Sequence, residues 1–308
     1  MSANVGDTDR SPNHVQVETC LAMHTAFLLP HVLPFLFSGA PPTTEEVALE
    51  HSVQSGAITI SGECLGGHTA ECIVVEMTNR TDQRISTAIP AGWLMQNSDP
   101  DAQDLMIVDR RAIDLAPHET RRVPCKAYCV ESSDSSPQAG VALRSMGFAK
   151  PTWVKLAEHL EQGNEAEDDI QAAVWAVADD HDIAAIGADD VEAHLPLRQF
   201  VADLTGRTVP WYAKRYAPPT EEGRVFSNAP TSVHGEIDFN LRTNGVVTVL
   251  VHNARGQLMH TIGKDRYLGP GEYGMEVELT VQGWPHGQYT IQFFLDDSQL
   301  LKRLPFEV

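Results

Sequence analysis

Lysine is scarce in this 308-residue sequence, aromatic residues make up only 7%, and no cluster of basic residues occurs anywhere. Each shortage excludes something. Nucleic-acid binding through phosphates needs clustered Lys and Arg, and the formal net charge here is -20. The same imbalance disfavours anionic membrane surfaces. So few aromatic residues argue against an extended sugar-stacking platform. Catalytic signatures are missing too: there is no G-x-S-x-G, no H-E-x-x-H, and "GECLGGH" lacks the lysine and following helix of a phosphate loop. What remains is a globular composition, 42% hydrophobic, long enough for two domains with their own cores. An acidic, Lys-poor surface stays soluble by self-repulsion, as in proteins adapted to high salt and in ordinary acidic bacterial proteins.

One apolar run stands out, "MHTAFLLPHVLPFLFSGAPP" (Met23–Pro42). Pro30 and Pro34 interrupt it, and it is too short to span a bilayer as a helix. It reads as the core of a signal peptide ending at the small residues Ser38, Gly39 and Ala40, which predicts an exported protein with no transmembrane helix. A cut near Ala40 removes Cys20 and leaves an even four cysteines: Cys64, Cys72, Cys125 and Cys129. In an exported chain these are candidates for two disulfides, with three possible connectivities. Free buried thiols and an all-cysteine zinc site are the alternatives, although seven residues between Cys64 and Cys72 fit zinc poorly. Cys125 and Cys129, four apart on a strand, face one way and stand too far apart to bond each other, which leaves partners at Cys64 and Cys72.

The chain divides into a leader-like segment (1–42), a β-sandwich (43–150), a helical appendage (151–215), a linker (216–230) and a second sandwich (231–308). Ala57–Cys64 and Glu71–Asn79 alternate apolar and polar residues and predict a hairpin. Arg84–Gly92, Asp104–Leu115 and Glu119–Val130 predict further strands separated by turn-forming loops. After "SSDSSPQAG" the period changes. Helices are predicted over Thr152–Gly163, with Thr152 as N-cap, over Glu165–Asp182, and from near Pro196 to Gly206. "YAPPTEEGRVFSNAP" (Tyr216–Pro230) has linker composition. The fold class expected is mainly β with a helical segment.

From Gly235 onward, alternating runs and glycine turns predict about seven strands in under 80 residues. Gly256 suits a tight hairpin turn. Gly271 and Gly287 each precede a tyrosine, Tyr273 and Tyr289, by two residues. The order of "EIDFNL", "VVTVLVHN", "ARGQ", "GPGEY" and "GQYTIQF" resembles the C-terminal immunoglobulin-like domains of exported bacterial proteins, of the flagellar hook-capping and type IX secretion sorting kinds. The resemblance covers 231–308 and departs at the end, where only Lys302 and Arg303 precede "LPFEV". It implies an inert handle or spacer carrying no chemistry.

Candidate sites are few. Asp99, Asp101 and Asp104 share one loop and could offer calcium three oxygen ligands, without the glycine and terminal glutamate of an EF-hand; no other cofactor is indicated. His118, His159, His181 and His194 are scattered, and His181 fits a solvent-exposed helix C-terminus. Trp211 and Tyr212 are the candidate contact for a protein or envelope partner. The leading expectation is an exported, non-catalytic protein of the cell surface or envelope. The alternative is an exported hydrolase with its active site between the first sandwich and the helices, which would require several of the named Asp and His residues to meet in one cleft.

Overall fold

The computed structural model of the protein describes residues 46–308. The leader-like segment, its apolar run and Cys20 lie outside the described residues. Among the described residues no helix is long and apolar enough to cross a membrane. The fold is mainly β with a helical segment.

A short helix, α1 (Leu49–Gln54), leads into nine strands: β1 (Ile58–Cys64), β2 (Ile73–Asn79), β3 (Ile85–Ile89), β4 (Trp93–Asn97), β5 (Leu105–Ile107), β6 (Arg111–Leu115), β7 (Thr120–Cys125), β8 (Ala127–Cys129) and β9 (Ala142–Phe148). The expected hairpin is β1–β2, in register from Ile58 opposite Asn79 to Cys64 opposite Ile73. Two expected strands are each broken in two. Asp109 divides β5 from β6, its carboxylate accepting from the Lys126 amide at 2.9 Å and pairing with Arg111 at 2.5 Å. Lys126 divides β7 from β8, so Cys125 pairs across to Ile73 whereas Cys129 pairs to Leu105. Seven strands form one sheet in the order β7-β2-β1-β9-β4-β5-β8, and β3 pairs with β6 apart from it. Because β7 and β8 are successive in the chain yet lie at opposite ends of this sheet, the sheet curls until its ends approach. Where a β-sandwich was expected, one curled sheet forms with the β3–β6 pair packed into the same core.

The helical layer follows: α2 (Pro151–Gln162), α3 (Glu167–Ala178), a 3₁₀ turn (Ile183–Ala185) and α4 (Leu195–Thr205). Lys150 is the N-cap of α2, displacing Thr152, because Pro151 takes the first helical position, where its missing N–H costs nothing. Three acids fill the first turn of α3, matching the dipole. The layer covers the β4-β5-β8 part of the sheet. Leu105, Ile107, Ala127 and Cys129 point into the first core, while Met106 and Tyr128, one residue out of phase, point into the core shared with the helices. Gln171 of α3 stands in for a further strand: it accepts from the Cys129 amide at 3.1 Å and donates to the Cys129 carbonyl at 2.8 Å, closing that sheet edge.

The second β region has β10 (Ala213–Tyr216), β11 (Pro230–Leu241), β12 (Gly245–Asn253), β13 (Leu258–Leu268), β14 (Gly271–Thr280), β15 (Gln288–Leu295) and β16 (Gln299–Glu307). They form two sheets, β10-β11-β14 and β13-β12-β15-β16. The count of seven expected within 231–308 is reached only with β10, which comes from upstream. Gly256 adopts φ +76° in the expected turn, and Asn253 Oδ1 accepts from the Arg255 and Gln257 amides, each at 3.0 Å. The repeated Gly-x-Tyr step has a shared purpose: Tyr273 donates to the Gly269 carbonyl (2.9 Å) and Tyr289 to the Pro285 carbonyl (2.7 Å), each tying a strand to the turn four residues before it.

Residues 216–230 connect the helical layer to the sandwich, but they are tied down in ways linker composition did not suggest. The Ser136 amide donates to the Gly223 carbonyl at 2.7 Å, and the Ala217 amide to that of Ala229 at 2.8 Å. Arg198 fastens the layers together. Fully buried, it donates to the carbonyls of Ile186 (2.7 Å), Tyr212 (3.0 Å) and Ala184 (3.1 Å), and burial lowers its pKa to about 10.

Candidate functional site

A cleft of about 1430 Å³ opens where the end of α3, the segment around β10 and the end of β16 come together. Its first wall begins at Asp179. Asp180 takes φ +55°, turning the chain back so that the His181 amide donates to the Trp175 carbonyl at 3.2 Å. Arg207, just beyond the left-handed cap Gly206, donates to the carbonyls of His181 (2.6 Å) and Ala176 and pairs with Asp180 at 3.3 Å. A cation at the C-terminal end of α3 suits the helix dipole.

The second wall is Trp211–Tyr216. On β10, residues two apart face alike, which places Tyr212, Lys214 and Tyr216 together. Lys214 is buried beside Asp182 at 2.6 Å, with the rings of Tyr212 and Tyr216 at 6.0 and 5.8 Å. Phe226, from the connecting segment, completes a group of rings with centroids 4.3 Å from His181, 5.2 Å from Tyr216 and 5.6 Å from Trp175. The third wall comes from the second β region, including Gln288 and Glu307. The expectation of an inert, self-contained tail is therefore corrected twice: an upstream strand completes its sheet, and its residues wall a pocket of converging polar groups.

At the edge of the cleft Ser132 meets His181 and Asp179. The carboxylate accepts from the Ser132 amide at 2.9 Å and from its hydroxyl at 2.5 Å, and His181 Nε2 lies 2.5 Å from the same hydroxyl oxygen. His181 Nε2 is also 3.6 Å from Asp179. A hydroxyl has one proton, and a carboxylate is the stronger acceptor. Both the serine and Asp179 lie on the Nε2 side of the His181 ring. Burial lowers the His181 pKa against the pull of Asp179, which favours the neutral ring. Asp179 orients the serine, where a relay would have it hold the far nitrogen of the histidine ring.

The sequence-derived candidates fall elsewhere or act otherwise. Asp99, Asp101 and Asp104 do not converge on a cation: Asp99 accepts from the Asp101 amide (3.0 Å), Asp104 accepts from the Asn97 amide (2.8 Å), and no group of three metal-ligating side chains exists among the described residues. Short loops leave backbone amides to satisfy, and the carboxylates of Asp99 and Asp104 serve them. Cys64, Cys72, Cys125 and Cys129 are free, buried thiols in one core, so the expected disulfides and the zinc alternative are both absent from the described structure. Burial raises the pKa of Cys64 to about 11 and of Cys72 and Cys125 to about 12, and raises that of Cys129 as well, which leaves them unreactive. Trp211 and Tyr212 contact the protein's own last strand: Trp211 Nε1 donates to the Pro305 carbonyl (2.7 Å) and the Glu307 amide donates to the Tyr212 hydroxyl (3.1 Å). The two rings cap the open edge of β16 and at the same time line the cleft. Of the histidines, His118 pairs with Asp82 at 2.8 Å on the surface, His159 stacks on Phe200, and His194 meets Asp169 at 2.9 Å. Only His181 of the Asp and His residues proposed for a hydrolase site lines the cleft, and it is half-buried where exposure was expected.

Ser132, Asp179, Lys214 and Phe226 were not singled out from the sequence. Lys214 carried a signal, the Tyr-x-Lys-x-Tyr alternation in a Lys-poor chain, which marks a strand face.

No family model matches the chain, and no curated protein matches it. Among solved structures, the selenomethionine-labelled β-glucosidase of Kluyveromyces marxianus shares 11% identity over 77% of this chain and 44% of that one, with a TM-score of 0.20. The same enzyme in complex with glucose gives 11% identity, 77% and 45% coverage, and a TM-score of 0.20. This chain spans less than half the length of those proteins, and likeness that low carries no argument about fold or function.

Proposed function

We propose that the protein is an exported, non-catalytic binding protein of the cell surface or envelope, for display, adhesion or architecture, and that the cleft is its ligand site. The observation that carries this reading is the cleft itself: three separate segments supply its walls, yet the one serine–histidine contact in it lacks the order of a proton relay. The resemblance of 231–308 to sorting or spacer modules fits such a role, with the added task of closing the cleft. Export rests on the apolar run Met23–Pro42 and its small-residue end. Mass analysis of the natively produced chain tests it: a mature N-terminus near Ala40 is expected, and a retained Met1 contradicts export.

The hydrolase reading has one observation in its favour, the 2.5 Å separation of Ser132 Oγ and His181 Nε2. A fluorophosphonate probe separates the two. No labelling of Ser132 is expected of a binding protein; stoichiometric labelling lost in His181→Gln would replace the binding reading with the hydrolase one.

A further inference from the structure

We propose that the ligand of the cleft is a neutral, hydroxyl-rich saccharide, an inference that rests on the binding reading above. The charges lining the cleft are the first ground. Six of them form three pairs: Lys214 with Asp182 at 2.6 Å, Arg207 with Asp180 at 3.3 Å, and Arg224 with Glu221 at 3.6 Å. Glu307 is the remaining charged side chain of the lining. An anionic ligand would need cations in excess, and the lining holds none beyond those already paired; a cationic one would find a single unpaired carboxylate, Glu307, where several would be needed. What ion pairs retain is hydrogen-bonding capacity. An ammonium has three N–H donors, a guanidinium five, and a carboxylate about four lone-pair sites, so each pair keeps groups with which to meet hydroxyls that donate and accept at once.

The rings are the second ground. Tyr216 and Phe226 are half-buried and line the cleft, with ring planes inclined at 58°. They form an angular corner against which the C–H face of a sugar ring can pack, its weakly positive hydrogens on the negative face of an aromatic ring. The low aromatic content that argued against a long stacking platform is compatible with this. The corner is built from residues 10 apart in sequence, and the rings of Trp175 on α3 and of His181 just beyond it pack against Phe226. The third ground is long-range charge: a chain at -20 repels polyanions before they reach any site.

Isothermal titration of the full chain provides the test. The probes are neutral tetrasaccharides (β-1,4- and β-1,3-glucan, α-1,4-glucan, mannan and chitin types), polygalacturonate and heparin as anions, and an oligolysine peptide. At least one neutral tetrasaccharide is expected to bind, with affinity changing less than about threefold between 50 and 500 mM NaCl, since no net ion pairs form. Phe226→Ala should weaken it at least tenfold. The exposed Asn228→Ala, which leaves the core untouched, should weaken it by a smaller factor and guards against a folding defect in the first variant. Equal saccharide affinity in both variants and the wild type would move the site elsewhere and overturn the proposal. Binding of only the polyanions or the peptide, weakened by Phe226→Ala, would overturn the saccharide and keep the cleft. Failure of every probe class would overturn the cleft reading as well.

Discussion

The two β regions bury their strands differently. In the second, strands alternate: β15 runs exposed, buried, intermediate, buried, intermediate, buried, intermediate, buried, with one face toward the core and the other toward solvent. In the first, β5 and β8 are buried at every residue, because helices lie on one face and the curled sheet encloses the other. Hydrophobic alternation is the signature of a one-sided environment; a strand covered on both sides loses it. The comparison teaches where polar groups gather. The regular region contributes a rigid wall, and most of the cleft's polar groups come from the irregular junction, where a turn after α3, a short strand and a tied-down connecting segment meet.

The sharpest way to break the comparison is at Arg198, which joins the irregular layer to the regular one. Arg198→Met leaves three buried carbonyls without a donor, and each unsatisfied group costs about 1–3 kcal/mol. A loss of roughly 3–5 kcal/mol in urea unfolding is expected; a loss under about 1 kcal/mol would mean the junction does not depend on it. Next is Gly92, between β3 and β4, where φ is +82° and a Cβ would stand 2.9 Å from the Val154 backbone of α2. Gly92→Ala should cost about 1–3 kcal/mol by the same measurement, because both the turn and the helix above it would have to shift.

Glu131 gives a pH-dependent contrast. Burial, with Asp104, Asp134 and Asp179 nearby, raises its pKa to about 7 against the helping hydrogen bond from the Asp104 amide at 2.8 Å. A carboxyl whose folded pKa lies above its unfolded one contributes stability below about pH 4.5 that is lost as pH rises through about 7. Glu131→Gln keeps an acceptor for Asp104 and cannot ionise. Thermal melting should therefore show the variant near the wild type at pH 5 and higher in Tm at pH 8; a difference that does not change with pH would contradict this. The smallest effect belongs to Trp211→Phe, which removes one partly exposed hydrogen bond to Pro305 and should cost about 1 kcal/mol.

Much of the fold was legible, and for physical reasons. The β1–β2 hairpin, the three helices and the turn at Gly256 follow from local patterns: alternation, amphipathic period, proline and glycine punctuation. The breaks at Asp109 and Lys126 were not, since they depend on which distant strand each half meets. The strand β9 was missed for the same cause: Arg144, Ser145 and Met146 look irregular alone and are ordered by β1 and β4 on either side. The candidate site was mostly illegible. Ser132 and Asp179 are 47 residues apart, Trp175 and Phe226 are farther still, and only the packing of the layers brings them together. The acidic loop and the cysteines looked like ligands because of residue type, but their surroundings commit them to backbone amides and to the core.

Calorimetric unfolding of the full chain tests most directly whether the two regions are one body with a built cleft between them. A single body predicts one cooperative transition, with calorimetric and van't Hoff enthalpies in agreement and its midpoint lowered as a whole by Arg198→Met. Two transitions, the second unmoved by that substitution, would show the C-terminal sandwich to be an independent unit, and the cleft would no longer be a site the fold maintains.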